Sequence, residues 1–124
     1  MTSKTSIILC TYNEAKYIEN TISELEKSIS NLELVIVDDN SSDGTVEIIK
    51  KLNDKNKYKV VLRKKSRSLA SAFVRGIIET TGDYIGWIDT NMDELAPRFN
   101  EMISELESGN DLITLSRFID GGGD

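Results

Sequence analysis

Short, uninterrupted apolar runs alternate with amphipathic stretches along this chain. Continuous apolar runs, which are typical of strands buried on both faces of a sheet, occur at residues 6–10 and 34–37, and residues 58–62, 84–88 and 112–115 are also predicted to be strands. Between these runs, apolar residues recur every three or four positions, which predicts amphipathic helices. Their stripes are Ile18, Ile22, Leu25 and Ile29; Val46, Ile49 and Leu52; Leu69, Ala72, Phe73 and Ile77; and Phe99, Met102, Ile103 and Leu106. This alternation predicts an α/β fold, a mostly parallel sheet with helices on both faces.

Local signals mark several helix ends. Pro97 is tolerated in the first turn of a helix, and Gly82 and Gly109 stand where helices are expected to stop. Asp43 or Ser42 is expected to cap the second helix. The length of 124 residues predicts a single domain with a real hydrophobic core.

Composition excludes several classes of function. A net charge of −6 argues against non-specific binding to nucleic acid, and no nucleic-acid partner is expected. The sequence has no histidine, which excludes a Ser-His-Asp triad and His-based zinc sites within these residues. Cys10 is the only cysteine, so no intrachain disulfide can form and nothing indicates an oxidising compartment.

Neither a signal peptide nor a membrane span is indicated by the apolar runs, which are too short for either. We therefore expect a cytoplasmic protein, one that could work at the cytoplasmic face of a membrane. The closing glycines at 121–123 are an unusual end for a domain, so we expect the chain to be cut from a longer one.

Polar clusters directly follow the predicted strands, at residues 11–14, 38–44, 89–93 and 116–117. Because parallel strands place their carboxyl ends at one edge of the sheet, these clusters are expected to meet around one crevice. In the third cluster, Asp89 is followed by an oxygen-bearing Asn91 and a second carboxylate, Asp93. That spacing suits a hard divalent cation, which normally arrives with a phosphate that it helps to neutralise.

Simpler interpretations exist for two of the clusters. Thr11 or Asn13 could merely cap the first helix. The segment 39–44 imitates the start of an EF-hand loop, but Lys50 stands where a bidentate glutamate is needed. Neither a Walker A sequence nor a G-x-G-x-x-G motif is present, so a dinucleotide-binding domain is not expected.

Taken together, segments 6–14, 35–45, 68–76, 81–93 and 116–118 resemble the family 2 glycosyltransferases of the GT-A fold. Among these, the chain is most similar to the dolichol-phosphate mannose synthase branch, which transfers sugars to polyprenyl phosphates. The resemblance covers nearly the whole chain, in order. It implies that residues 1–124 are the nucleotide-sugar-binding, amino-terminal part of a glycosyltransferase domain.

The resemblance also implies ligands and roles. The donor would be a GDP- or UDP-sugar, the acceptor a polyprenyl or dolichyl phosphate or a glycan, and the cofactor Mg²⁺ or Mn²⁺. Transfer would be inverting, and any association with a membrane is expected to come from a region downstream of Asp124. The implied nucleotide-binding residues are Thr11, Tyr12, Glu14, Val37, Asp39, Asp89 and Asn91; the metal ligands are Asp89, Asn91 and Asp93; the catalytic residues are Asp89 and Arg117.

Three departures from the family pattern matter. Cys10 replaces a usual proline, Ser68 replaces a usual glycine, and Asn91 replaces the second aspartate of the metal motif. Asparagine can offer a carbonyl oxygen but no charge, and Asp93 could restore the charge two positions later. A non-catalytic nucleotide-sugar-binding module with a degenerate metal motif is therefore the alternative. A signalling receiver is disfavoured, because Leu62 and Arg63 supply no phosphorylatable aspartate after the third strand.

Overall fold

The structure is a computed structural model that describes residues 4–64 and 68–88, together with residues 101 and 104. Strands and helices alternate through the two long ranges. The strands are β1 (Thr5–Thr11), β2 (Leu32–Asp38), β3 (Lys59–Leu62) and β4 (Tyr84–Ile88). The helices are α1 (Ile18–Ser28), α2 (Thr45–Leu52) and α3 (Leu69–Glu79).

All four described strands are parallel, in the order β3-β2-β1-β4. The register pairs Thr11 with Asp38, Asp38 with Leu62, and Leu9 with Ile88. Consequently, β1, β2 and β3 end side by side, and the loops that follow them leave from the same edge of the sheet. We call this edge the carboxyl edge.

Each face of the sheet is covered by helices, as the alternation of elements predicts. On one face, α1 and α2 pack through Ile18, Ile22, Leu25 and Ile49 against Ile7, Leu9, Leu34 and Ile36 of β1 and β2. On the other face, α3 packs through Ala72 and Phe73 against Ile8, Val35 and Val37. The predicted α/β class, with a parallel sheet between two layers of helices, is confirmed.

Helix α3 approaches β1 closely at Gly76. A Cβ atom built on Gly76 would lie 2.6 Å from Cγ2 of Ile8, which is closer than real carbon contacts allow. Glycine therefore sets the distance between α3 and the sheet. Beyond this contact, Val74, Ile78, Ile85 and Trp87 are exposed on the α3 side.

The opposite edge of the sheet, here the amino edge, is held together by Glu33. Its carboxylate accepts hydrogen bonds from the hydroxyl of Ser6 (2.6 Å) and from the backbone N–H and hydroxyl of Thr81 (2.8 Å each). The ammonium groups of Lys59 and Lys4 lie 3.0 and 3.6 Å away. Burial raises the pKa of Glu33, but these donors outweigh it and lower the pKa to about 2.

Local details differ from the sequence-based expectations. Helix α2 begins at Thr45. Its N-cap residue is Gly44, whose φ is 98°, and no side-chain cap hydrogen bond forms, so the predicted cap by Asp43 or Ser42 is wrong. The first helix begins after Tyr17 without a side-chain cap, which removes Thr11 and Asn13 as cap residues. Ser68, in contrast, caps α3 by accepting a hydrogen bond from the backbone N–H of Ser71.

Two predicted elements, the helix near 97–108 and the strand at 112–115, lie outside the described residues, although residues 101 and 104 are both helical. Within 4–64 and 68–88, none of the helices has the length and apolar character required to span a bilayer.

Candidate functional site

The first two predicted polar clusters meet at the carboxyl edge. Thr11 and Asp38 are register partners at the ends of β1 and β2. The hydroxyl of Thr11 donates a 2.6 Å hydrogen bond to Oδ1 of Asp38, and the backbone N–H of Asp39 donates to the carbonyl oxygen of Thr11 at 3.0 Å. The loop after β1 and the loop after β2 therefore start from one hydrogen-bonded junction.

Reciprocal hydrogen bonds continue between the two loops. The backbone N–H of Asn13 donates to Oγ of Ser41 at 2.8 Å, and the backbone N–H of Ser42 donates to Oδ1 of Asn13 at 2.8 Å. Asn13 and Asn40 both adopt the left-handed backbone conformation, with φ of 54° and 63°. Asparagine tolerates this conformation better than most residues, so the sequence suits two sharp, facing turns.

The same two loops also position the starts of α1 and α2. The backbone N–H of Glu14 donates to Oγ1 of Thr45 at 2.9 Å, and that of Ala15 donates to Oδ2 of Asp43 at 3.1 Å. Asp43 further accepts hydrogen bonds from the hydroxyl and backbone N–H of Thr45. The Thr45 hydroxyl, followed by these backbone donors, lowers the pKa of Asp43.

A third strand contributes Arg63, which directly follows β3. Its Nε donates to Oδ1 of Asp39 at 2.6 Å and its Nη2 donates to Oδ2 at 2.9 Å, a bidentate ion pair. The two side chains are 14% and 9% exposed. The hydrogen bonds to Asp39 raise the pKa of Arg63. Nη1 also donates to Oγ of Ser71 at 3.1 Å, which links the end of β2 to the first turn of α3.

The predicted nucleotide-binding residues among the described ones gather around this junction. Tyr12 is 43% exposed, Glu14 is half-buried, and Asp39 is 7% exposed. Thr11 and Val37 are buried as whole residues, main chain included, at 2% and 0% exposure, so they lie behind the residues that a ligand could reach. The role of each of these residues in binding stays a prediction.

Four predicted residues, Asp89, Asn91, Asp93 and Arg117, lie outside the described residues. The chain enters this part of the sequence at Ile88, the register partner of Leu9 near the end of β1. In the part of the chain that the structure describes, no group of three or more acidic or cysteine side chains is arranged to hold a metal ion. The assignment of Asp89, Asn91 and Asp93 as metal ligands therefore remains a prediction from the sequence.

Two residues of the junction were not assigned a role from sequence. Arg63 could have been found by the rule that identified the other clusters, because it is the first polar residue after a predicted strand. Asp38 belongs to the second polar cluster, but nothing in the sequence distinguishes it from its neighbour Asp39. In the structure both are buried, at 0% and 7% exposure, but Asp38 accepts from Thr11 and Ser41 whereas Asp39 pairs with Arg63.

This arrangement is suited to holding a polar, aromatic ligand. Both carboxylate oxygens of Asp39 already accept from Arg63, and each has a further lone pair that can accept an N–H or O–H group; Tyr12 offers an exposed ring for stacking. Arg63 balances the charge of Asp39 in a protein whose net charge is −6. Nucleosides carry the matching groups, namely a flat base with N–H donors and a ribose with hydroxyls.

Comparison with known proteins identifies relatives over nearly the whole chain. The family model described as "Glycosyl transferase family 2" matches residues 6–124. A dolichol-phosphate mannosyltransferase from Pyrococcus furiosus is 34% identical over 121 residues, which are 96% of this chain and 34% of that protein. A poly-beta-1,6-N-acetyl-D-glucosamine synthase from Staphylococcus aureus is 34% identical over 97 residues, 76% of this chain and 24% of that protein. The chain spans about a third of the length of the archaeal relative.

Solved structures give the same fold. A mannosyltransferase from Pyrobaculum calidifontis, in complex with GDP-Man and Mn²⁺, superposes with a TM-score of 0.68 at 24% identity over 80% of this chain and 32% of that one. Glucosyl-3-phosphoglycerate synthase from Mycobacterium tuberculosis, with Mn²⁺ and UDP, superposes with a TM-score of 0.57 at 26% identity over 71% of this chain and 33% of that one. The fold is therefore that of GT-A glycosyltransferases, and the chain belongs to glycosyltransferase family 2.

Proposed function

We propose that this chain is the nucleotide-sugar-binding part of a metal-dependent, inverting glycosyltransferase. The donor is a GDP- or UDP-sugar, and the acceptor is a polyprenyl or dolichyl phosphate. The observation that carries this proposal is the junction at the carboxyl edge, where loops from three neighbouring strands bring Tyr12, Glu14, Asp39 and Arg63 together. The similarity to the archaeal dolichol-phosphate mannosyltransferase supports the choice of acceptor.

In this proposal, the base and ribose lie against the loops after β1 and β2. Asp39 accepts hydrogen bonds from the nucleoside, and Arg63 keeps the Asp39 carboxylate in one orientation through its two donors. Tyr12 lies at the surface of the same junction and stacks on the base. These residues bind and orient the donor, whereas the chemistry of transfer belongs to the segments that follow β4.

The proposed metal ligands are Asp89, Asn91 and Asp93. Two carboxylates and an amide carbonyl are hard oxygen donors, which fit Mg²⁺ or Mn²⁺. When bound, the cation supplies electrostatic stabilisation of the diphosphate leaving group. Arg117 contributes positive charge to the same oxygens, and this charge favours the transition state because negative charge builds up there as the glycosidic bond breaks.

An ionised acceptor phosphate requires no general base, because its oxygen is already a nucleophile near neutral pH. A mechanism that needs no general base agrees with a sequence that contains no histidine. A sugar hydroxyl as acceptor would instead need a carboxylate to remove its proton. The acceptor is therefore distinguishable by the pH dependence of transfer.

Calorimetry with UDP and with GDP, each with and without Mn²⁺, tests the proposal on the full chain. We expect one nucleotide to bind, and Mn²⁺ to tighten its binding by about tenfold or more, which is about 1.4 kcal/mol. Asp89→Ala should abolish the effect of Mn²⁺ while leaving the metal-free affinity unchanged. Asp54→Ala, at an exposed position in the turn after α2, is the matched control and should leave both affinities unchanged.

The outcomes separate the alternatives. If neither nucleotide binds, the proposal is wrong. Nucleotide binding that Mn²⁺ does not strengthen would instead favour the non-catalytic module, since Asn91 removes one charge from the metal motif.

A further inference from the structure

Among the described acidic residues of the carboxyl edge, Asp38 is the most completely buried, and no role in binding accounts for it. Its side chain is 0% exposed. Oδ1 accepts hydrogen bonds from the hydroxyls of Thr11 and Ser41, each at 2.6 Å, and Oδ2 accepts one from the backbone N–H of Ser41 at 2.9 Å. A buried carboxylate is costly unless its oxygens are satisfied in this way, so a specific arrangement is required to keep it there.

The hydrogen bonds of Asp38 extend to the loop that carries the predicted nucleotide contacts. Ser41 donates its hydroxyl hydrogen to Asp38 and uses the same oxygen to accept the backbone N–H of Asn13 at 2.8 Å. Asn13 lies between Tyr12 and Glu14 in the sequence. The orientation of the Ser41 hydroxyl is fixed by its acceptor, and that hydroxyl in turn holds the peptide group that joins Tyr12 to Asn13.

Asp38 also joins the third strand to this junction. Its carbonyl oxygen accepts the backbone N–H of Arg63 at 2.8 Å, and Arg63 pairs with Asp39. One residue thus connects the ends of β1, β2 and β3. The partners of Asp38, namely Thr11, Ser41 and Arg63, all lie in or next to the loops that form the proposed nucleoside site.

We propose that Asp38 is a positioning residue for the nucleotide site: through Ser41 it holds the turn at Asn13 so that Tyr12, Glu14 and Asp39 are arranged for the nucleoside before it binds. This inference rests on the proposed function. A carboxylate is the side chain that accepts on both oxygens. An asparagine at position 38 would keep one acceptor oxygen. Its N–H₂ group would have to face either the hydroxyls of Thr11 and Ser41 or the backbone N–H of Ser41, all of which donate to Asp38.

Glu33 provides a matched control at the amino edge. Like Asp38, it is an acidic residue of β2 with little exposed surface, and it accepts hydrogen bonds from hydroxyl and backbone donors. It precedes Asp38 by five residues, which is about 16 Å along a strand. Glu33→Gln should therefore lower stability in a similar way without reaching the nucleotide site.

The test measures nucleotide affinity by calorimetry for the wild-type chain, Asp38→Asn and Glu33→Gln, at a temperature where urea titration shows all three to be folded. We expect Asp38→Asn to weaken binding of the nucleotide that the wild type prefers by about tenfold, about 1.4 kcal/mol. Glu33→Gln should bind within about twofold of the wild type, because it destabilises the fold at a distance from the loops.

A spectroscopic readout reports the loop directly. In ¹⁵N–¹H spectra, the Asn13 amide should shift in Asp38→Asn and keep its position in Glu33→Gln, because the Ser41 hydroxyl that accepts the Asn13 N–H donates to Asp38 and makes no contact with Glu33. Ser41→Ala removes the hydroxyl that connects Asp38 to Asn13, and it is the variant to test if Asp38→Asn does not fold. It should reproduce both the weaker binding and the Asn13 shift.

Equal affinity in the wild type, Asp38→Asn and Ser41→Ala would overturn the inference and leave the proposed function standing. A loss of affinity in Glu33→Gln as large as in Asp38→Asn would also overturn it, because the effect would then follow global stability. A wild-type chain that binds neither UDP nor GDP would refute the proposed function itself.

Discussion

Acidification should remove one identifiable source of stability, the Glu33 carboxylate at the amino edge. Three donors hold this group in place: the hydroxyl of Ser6, the backbone N–H of Thr81 and its hydroxyl. Lys59 adds a 3.0 Å ion pair. Together they join β1, β2, β3 and the turn before β4, so protonation of Glu33 loosens all four strands at the same end.

The magnitude follows from the pKa. Burial alone would raise it, but the surrounding donors lower it from 4.5 to about 2. A difference of this size between the folded and unfolded states corresponds to about 3 kcal/mol. The Glu33 side chain is 10% exposed, so solvent screening reduces this figure only slightly, although the 40% exposure of Lys59 limits the contribution of the ion pair.

The direction is determined by the sign of the shift. Because the folded-state pKa of Glu33 is depressed, its stabilisation is present above the unfolded pKa and is lost as the pH falls from about 4.5 through about 2. Typical domains have a free energy of unfolding of about 5–15 kcal/mol, so this loss should be easy to measure.

Urea titrations at pH 7, 5, 4, 3 and 2.5 would give the free energy of unfolding of the wild type and of Glu33→Gln. We expect the variant to be less stable by about 2–3 kcal/mol at pH 7, and the difference to shrink steadily below pH 4.5. Glu24→Gln, which loses only a 3.9 Å surface ion pair with Lys27, is the control and should follow the wild type at every pH. A difference between wild type and Glu33→Gln that stays constant from pH 7 to pH 2.5 would refute this reasoning.

Two further substitutions test other contacts. Gly76→Ala should lower the free energy of unfolding by about 1–3 kcal/mol. The new Cβ would overlap Ile8, and the cost of this overlap exceeds the roughly 1 kcal/mol that alanine gains in helix propensity. The exposed Val74→Ala on the same helix is its control, and a Gly76→Ala chain with an unchanged melting temperature would contradict the packing argument. Arg63→Lys keeps the charge but loses the bidentate geometry toward Asp39, so urea titration should show a loss of about 1–2 kcal/mol; unchanged stability would mean that the pair is dispensable.

The pattern of apolar residues was sufficient to predict the α/β class. A strand that is buried on both faces needs an unbroken apolar run, and the runs in β1 and β2 form such strands. The run in β4 also forms a strand, but Ile85 and Trp87 are exposed, so the expectation of burial on both faces is wrong for it. The stripe from Ile18 to Ile29 is buried, as one face of an amphipathic helix should be. Right-handed crossovers then leave few ways to arrange alternating strands and helices, so fold class follows from order alone.

Element boundaries were less accessible to sequence reasoning. Strands β1 and β2 extend onto Thr5, Thr11 and Asp38, which are polar but buried. Their side chains resemble those of turn residues, and only pairing with a neighbouring strand satisfies their backbone groups. Gly44, and not the predicted Asp43, occupies the N-cap position of α2, and Asp43 accepts hydrogen bonds both from Thr45 and from the backbone N–H of Ala15 in the facing loop.

The sequence by itself determined which elements form and which polar clusters end up at the carboxyl edge. It also supplied the family resemblance, from which the roles of Asp89, Asn91, Asp93 and Arg117 remain predictions. Only the tertiary structure determined which partners each polar residue of these clusters contacts. Asp38 and Asp39 are adjacent and chemically identical, yet one is enclosed by Thr11 and Ser41 while the other pairs with Arg63. That difference arises because successive residues at a strand end point in opposite directions, and the partners they meet come from parts of the chain that are distant in sequence.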